Sequence, residues 1–380
     1  MKTSLAIVFD EDRIFLSFAA IKRGYFTFLK ELQIPSVCKD NDFLISLKVN
    51  ADIIDQKIKQ TEKDEGFCLE KVFIQLPWNF ATEVVARDDV ALSGKKTISS
   101  RDIAFAKKRL EGKFLNWDDT CIHNIVTSYK VEGLSYDRVP LGLTARRIEL
   151  KSLLVSIKDK IYKETLNIFD NLNRNFAGFV APQISTFSSS FSKKEKIQSV
   201  VAIDYYSSHL ITRDRDGYWT KELSLSLKMI IDRLAQRFNL TFILAEEILQ
   251  RYVSFKDVPY FKEITIKKGS KYLNLSPRTL NSFVKDYIRN ELALIKQEIE
   301  ERAGTGDCLI SFIGRLNSKD GFYNFLKDQL PYFLQMPIEK TTLSSSSGCL
   351  RYGLSGFLEE DHKSDKPYLS RILNIYRDYF

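Results

Sequence analysis

Paired cysteines and clustered histidines are missing from this chain. Its five cysteines (Cys38, Cys68, Cys121, Cys308, Cys349) are scattered over 380 residues with no CxxC pair, which argues against a disulfide framework and fits reduced thiols. The three histidines (His123, His209, His362) lack metal-ligand spacing, so a His/Cys metal site is not expected. No run approaches the roughly 20 apolar residues of a membrane span. The opening "MKTSLAIVFDEDR" turns acidic at Asp10, too early for a signal-peptide core. No Ser/His/Asp or Cys/His arrangement can be assembled. His209, Asp204 and Ser207 share one hairpin, whose successive residues face opposite sides. No catalytic residue and no metal site are therefore expected, and the body is expected to be soluble and cytosolic.

What is present is a globular composition, with 44% hydrophobic and 12% aromatic residues, which argues against disorder. The net charge is +8. The basic residues are spread along the chain rather than interleaved with aromatics, which favours a basic surface or an anionic membrane over nucleic acid.

The order of segments is α/β. "SLAIVFD", "RIFLSFAAI" and "YFTFLKEL" are three strands joined by short turns. A helix over "NADIIDQKIKQTEKDEG" and a buried strand "KVFIQLP" follow. From Asp88 to Thr165 the texture changes to helix, strand, strand, helix, with Gly112 read as the stop of the first helix. "STFSSSFSKKEK" is expected to be an exposed connection. The second half then repeats the opening: "SVVAIDYYSSHLITRDRDGYWTKEL" gives three strands, followed by helices and the buried strand "DCLISFIG".

A strand triplet at the head of each half resembles the actin/Hsp70/sugar-kinase plan, which periodicity alone does not specify. More specifically, "PLGLTARRIELKSLLVSI" (140–157), "FAGFVAPQISTFSS" (176–189), "PRTLNSFVKDYIRNELALIKQEIE" (277–300) and a charged linker before a terminal amphipathic helix resemble FtsA, the actin-like bacterial division protein. PilM of type IV pili and the cytoplasmic part of GspL of type II secretion share much of the plan. The resemblance implies an actin-like (ribonuclease H-like) two-domain α/β fold with an inserted α+β subdomain, 1C, of SHS2 type. Its implied subdomains are 1A (1–87, 166–196 and 348–360), 1C (88–165), 2A (197–228 and 291–347) and 2B (229–290), with a linker (361–367) and a membrane-targeting helix (368–380).

Relatives that bind ATP use glycine-bearing hairpins, because a side chain would keep backbone N–H groups from the phosphates. Aligned on the family pattern, the first hairpin places Val8 at the acid, Asp10 at the glycine and Glu11 at the Thr/Ser, leaving only Arg13 in kind. Asp10, Glu11 and Asp12 would repel a triphosphate. The second hairpin places Asp204, Tyr205 and Tyr206 at three glycines and Ser207 at the threonine. Leu249 stands at a lysine near the base. The adenosine loop keeps Gly314, with Gly321 as a second candidate, but has Ile313 at the paired glycine. These positions read as a vestigial pocket with no cofactor. The alternative is a register shifted by two, with ATP/Mg retained and Asp204 a displaced metal ligand. Asp204 equally suits a turn-capping carboxylate.

In "PYLSRILNIYRDYF", Leu369, Ile372, Leu373, Tyr376, Tyr379 and Phe380 form one face of a helix. A helix this short needs a surface: a membrane interface, a groove on its own body, or a partner. The FtsA resemblance implies a protein peripheral on the inner face of the cell membrane that polymerises. It also implies that the 2B-like region binds the C-terminal peptide of the tubulin-like FtsZ, and that 1C meets later division proteins. A PilM/GspL-like platform subunit is the alternative.

Overall fold

The computed structural model describes residues 2–9, 13–22, 25–36, 42–136, 138–190, 197–214, 217–256, 263–268, 271–303, 308–330 and 345–354. The tail residues Leu369 to Phe380 and the first-hairpin residues Asp10 and Glu11 lie outside them. The chain divides into two compact units. One comprises Met1–Ser188, Arg215–Gly217 and Ser346–Phe380; the other comprises Ser189–Asp214 and Tyr218–Ser345.

The first unit opens with β1 (Lys2–Phe9), β2 (Arg13–Lys22) and β3 (Tyr25–Pro35), with β2 antiparallel to both of the others. Helix α1 (Phe43–Glu65) is delimited by two local devices. The Asp42 carboxylate accepts from the Leu44 and Ile45 N–H groups, and Gly66 closes the helix in the left-handed region, its N–H donating to the Glu62 carbonyl. Phe43, Leu47, Ile54 and Ile58 fall on one buried face. The helix returns the chain to β4 (Cys68–Gln75), parallel to β1.

An inserted unit follows, built from β5 (Thr82–Thr97), α2 (Ser100–Phe114), β6 (Asp119–Val131), β7 (Leu134–Tyr136) and β8 (Thr144–Lys158) in the sheet order β5-β8-β6-β7. It opens at Thr82, ahead of the texture change read at Asp88, because β5 already pairs with β8 there, Thr82 against Ser156. A capping box between Ser99 and Asp102 starts α2, and Lys96 and Ser99 hold the Asp102 carboxyl down at about 2. Gly112 does not stop this helix, which runs on to Phe114. Ala86, Val90, Ile148, Leu150 and Leu154 make a small core with Ile103, Ala106 and Leu110 of α2.

Helix α3 (Asp159–Asn171) leads to β9 (Phe176–Val180), which completes the order β3-β2-β1-β4-β9. Phe169 of α3 stacks on Phe176 of β9 at 5.7 Å. Arg174 is 11% exposed and bonds Asp55 and Glu62 at 2.9 Å each, tying α1 to the approach of β9.

Residues 182–190 form α4 (Pro182–Ser190), not the exposed connection expected for "STFSSS". Ser185, Thr186, Phe187 and Ser188 are buried, and the Ser185 hydroxyl donates to Gln75 Oε1 at 2.6 Å. Paired hydroxyls can be buried at little cost.

The second unit repeats the plan. Strands β10 (Ile197–Ile203) and β11 (Ser208–Asp214) are antiparallel, β12 (Gly217–Leu223) flanks β11, and helices α5 (Leu227–Arg237) and α6 (Phe242–Arg251) follow. A hairpin of β13 (Ile264–Lys268) and β14 (Lys271–Leu275) precedes the long α7 (Pro277–Ala303). Then β15 (Cys308–Gly314) lies parallel to β10, giving the order β12-β11-β10-β15 among the described residues. Val200 to Ile203 are buried without alternation, as suits a strand covered on both faces. Helix α8 (Phe322–Gln329) closes this unit, and α9 (Ser345–Leu354) follows.

Candidate functional site

The turn between β10 and β11 is four residues, Asp204 to Ser207. The Asp204 N–H donates to the Ser207 carbonyl at 3.1 Å and closes it. Its outward carbonyls are also engaged. Asp204 O accepts from the Leu227 N–H at 3.1 Å, and Tyr205 O from the Lys228 N–H at 2.8 Å. The next amide, Met229, donates to the hydroxyl of Ser226, the N-cap residue. Three of the donors that begin α5 are thereby satisfied within the protein. Free donors of this kind are what a helix N-terminus offers an anion.

The side chains continue the pattern. Tyr205 folds onto α6, its hydroxyl donating to Glu246 Oε1 at 3.2 Å. The Arg315 guanidinium lies 5.6 Å from its ring centre, and the Tyr206 ring meets it edge-on at 5.0 Å. Tyr206 is 57% exposed, while Ser207 is half-buried. Leu249 is buried in the apolar core of the second unit, and Ile313 is buried as well. The sequence had brought Asp204 to Ser207 together; Arg315 and Glu246, which complete the cluster, carried no spacing signal.

Gly314 has a structural reason of its own. Its φ is +125°, and a Cβ there would lie 2.1 Å from the Ile203 carbonyl oxygen, on the residue paired with it in β10. Only glycine allows these two backbones to come so close. Gly321, at φ +77°, is confined in the same way by the backbone of Lys256.

Arg13 opens β2, is exposed, and donates to Gln33 Oε1 at 3.2 Å. His209, opposite Ala202 in the β10–β11 pairing, is buried, and burial pushes its pKa down to about 4. A neutral, buried imidazole does not suit a general base near neutrality.

Sequence reasoning missed a second feature, in the first unit. A cavity of about 140 Å³ is lined by Phe73, Cys121, His123, Tyr162, Phe179 and Tyr352, among others. His123 is buried there, and burial lowers its pKa to about 3. Its Nε2 accepts from the Ala181 N–H at 3.0 Å, so the ring proton belongs on Nδ1, 3.4 Å from the Tyr352 hydroxyl. Burial pushes the neighbouring Cys121 thiol up to about 12, which leaves it inert as a nucleophile. Among the described residues no group of three or more His, Cys, Asp or Glu side chains could hold a metal ion, and no helix is long and apolar enough to cross a membrane.

No family model matches the sequence, and no curated protein does. Solved structures do. The chain is similar over 96% of its length to a chain of a PilM–PilN type IV pilus biogenesis complex, covering 99% of that chain at 12% identity and a TM-score of 0.55. Over 95% of its length it is similar to a diol dehydratase-reactivating factor solved without nucleotide, covering 100% of that chain at 8% identity and a TM-score of 0.53. Identities this low speak to fold alone, and the fold is the actin-like one.

Proposed function

We propose that this actin-fold chain is a platform, holding partner proteins at a membrane surface without binding or hydrolysing ATP. The turn at 204–207 carries the proposal. Its carbonyls take the first N–H groups of α5, and Tyr205 fills the turn with a ring bonded to Glu246. A phosphate arriving there would meet side chains and find few free donors. The acids of the first hairpin, Asp10 and Glu11, support the same reading from the sequence.

Two finer readings follow. One is FtsA-like: a filament-forming tether that binds the FtsZ C-terminal peptide through the 229–290 region and meets later division proteins through the inserted unit. It would reach the inner face of the membrane through Leu369, Ile372, Leu373, Tyr376, Tyr379 and Phe380. The order of sequence motifs and the tail support it. The other is a PilM-like platform subunit of a pilus machine, supported by similarity along nearly the whole of both chains to a component of the PilM–PilN complex. A pull-down with immobilised FtsZ C-terminal peptide, run beside one with a PilN-type cytoplasmic segment, separates them. Capture by the first supports the tether, and capture by the second supports the pilus platform. Capture by neither, together with measurable ATP turnover, would overturn the platform proposal.

A further inference from the structure

The inserted unit exposes an aromatic and basic face that nothing in its own core explains. Ile103, Ala106 and Leu110 bury one side of α2. On the opposite side Arg101, Phe105, Lys108 and Gly112 fall at i, i+4, i+7 and i+11, a single outward stripe without an acid. Phe105 is 61% exposed, and Trp117, just past the helix, is 96% exposed. Phe114 lies between them in sequence, 37% exposed, with Lys113 5.6 Å from its ring centre. The helix carries five basic residues against two acids; Arg109 and Lys113 pair with the buried Asp88 at 2.9 and 2.7 Å, and Arg101 and Lys108 supply the charge of the outward stripe. Both acids are engaged, Asp102 with Lys96 and Glu111 with Asn124. Asp118, beside Trp117, pairs with Lys158 at 3.0 Å.

We infer that the outward stripe of α2, Arg101, Phe105 and Lys108, together with Trp117 just past the helix, is a contact site for anionic lipid. A nearly bare tryptophan protrudes and needs a medium that receives it without a shaped pocket. The interfacial layer of a bilayer does this, and it draws tryptophan and flanking Lys and Arg alike. A protein partner would have to bring a matching acidic recess. The inference deepens the platform reading and rests on its membrane clause, but it uses residues separate from the tail. Two weak contacts on one chain would reinforce each other.

The test is tryptophan quenching in the full chain by vesicles with brominated acyl chains, either phosphatidylcholine alone or mixed with phosphatidylglycerol. Quenching is expected with the anionic vesicles, and Trp117→Phe should remove most of it, leaving Trp78 and Trp219 as background. Arg101→Gln and Lys108→Gln should each weaken partitioning about fivefold, with unchanged circular dichroism as the check on folding. Equal quenching of the Trp117→Phe variant would overturn the inference. So would capture of an acidic protein that depends on Trp117 without any vesicle quenching. A chain ending at residue 366 separates the two membrane claims. If Trp117 is still quenched in it, the face stands without the tail. If truncation abolishes binding while Trp117 is never quenched in the full chain, the tail stands and the face does not.

Discussion

The two units pair their opening strands in the same way, β1 with β2 and β4 in one, β10 with β11 and β15 in the other. What fills the space around those strands differs. The second unit has one large apolar core, from Val201 and Leu249 to Ile299 and Leu330, and its constraints are backbone ones, as at Gly314. The first unit packs its own apolar core on these strands, with Leu5, Ile7, Ile14, Leu16 and Ile74 against Leu47, Ile54 and Ile58 of α1, and adds buried polar groups: the hydroxyls of Ser17 and Ser346 at 2.6 Å, both also bonded to Glu31, and the Arg174 cluster. A shared topology thus fixes where the strands go and apolar packing covers them in both units, while the first unit adds satisfied buried hydrogen bonds to that packing.

Glycine substitutions break the comparison most sharply. Gly314→Ala would drive a Cβ into the Ile203 carbonyl at a φ of +125°, and neither backbone can yield. A loss of about 4 kcal/mol or more is expected in urea unfolding, or no soluble protein at all. In the first unit, a Cβ on Gly353 would lie 2.8 Å from the Phe73 ring, a side chain bordering the cavity. Gly353→Ala should therefore cost only about 1–2 kcal/mol. Equal losses at the two sites would remove the distinction between backbone and side-chain constraint.

Next in size is Arg174→Ala, which takes the guanidinium from the partly buried Glu62 and leaves Asp55 with Lys59 alone, at 2.6 Å. A loss of about 3 kcal/mol is expected, and Arg174→Lys should recover part of it. An effect below about 1 kcal/mol would mean that the network is solvated.

Much of the strand order was legible, because runs such as "VVAI" and "LISFI" are apolar and short and end in turn residues. The serine-rich helices were not. "STFSSS" and "SSSSG" carry no apolar period, and their burial depends on acceptors far along the chain, Gln75 for Ser185 and Glu31 for Ser346. His123 and Tyr352 meet across 229 residues, a distance over which spacing says nothing. The retained glycine at 314 was visible, but its reason, the approach of Ile203, needed the pairing of β10 with β15.

The two buried histidines, one in each unit, give a pH test. Both have folded pKa values depressed below 6.5, so the unfolded chain binds more protons as the pH falls. Stability is present above about pH 6.5 and is lost below it, down to about 4 for His209 and about 3 for His123. Each should contribute a slope of up to about 1.4 kcal/mol per pH unit within its window. Urea midpoints between pH 7 and pH 5 should flatten in His123→Gln and in His209→Gln, each removing one share. An unchanged slope in either variant would mean that water reaches that ring.

The smallest effect is expected for Tyr205→Phe, which removes the hydroxyl bond to Glu246 and keeps the ring. The cost should be about 1 kcal/mol, with no gain of nucleotide binding. A gain of binding would show that the hydroxyl alone blocks the turn.

Titration calorimetry of the full chain with Mg-ATP tests the central claim most directly. A platform whose turn is filled by Tyr205 and whose α5 donors are already bonded should give no binding heat up to millimolar nucleotide. A saturable isotherm with a dissociation constant near or below about 100 μM, roughly 5.5 kcal/mol of binding free energy, would contradict it.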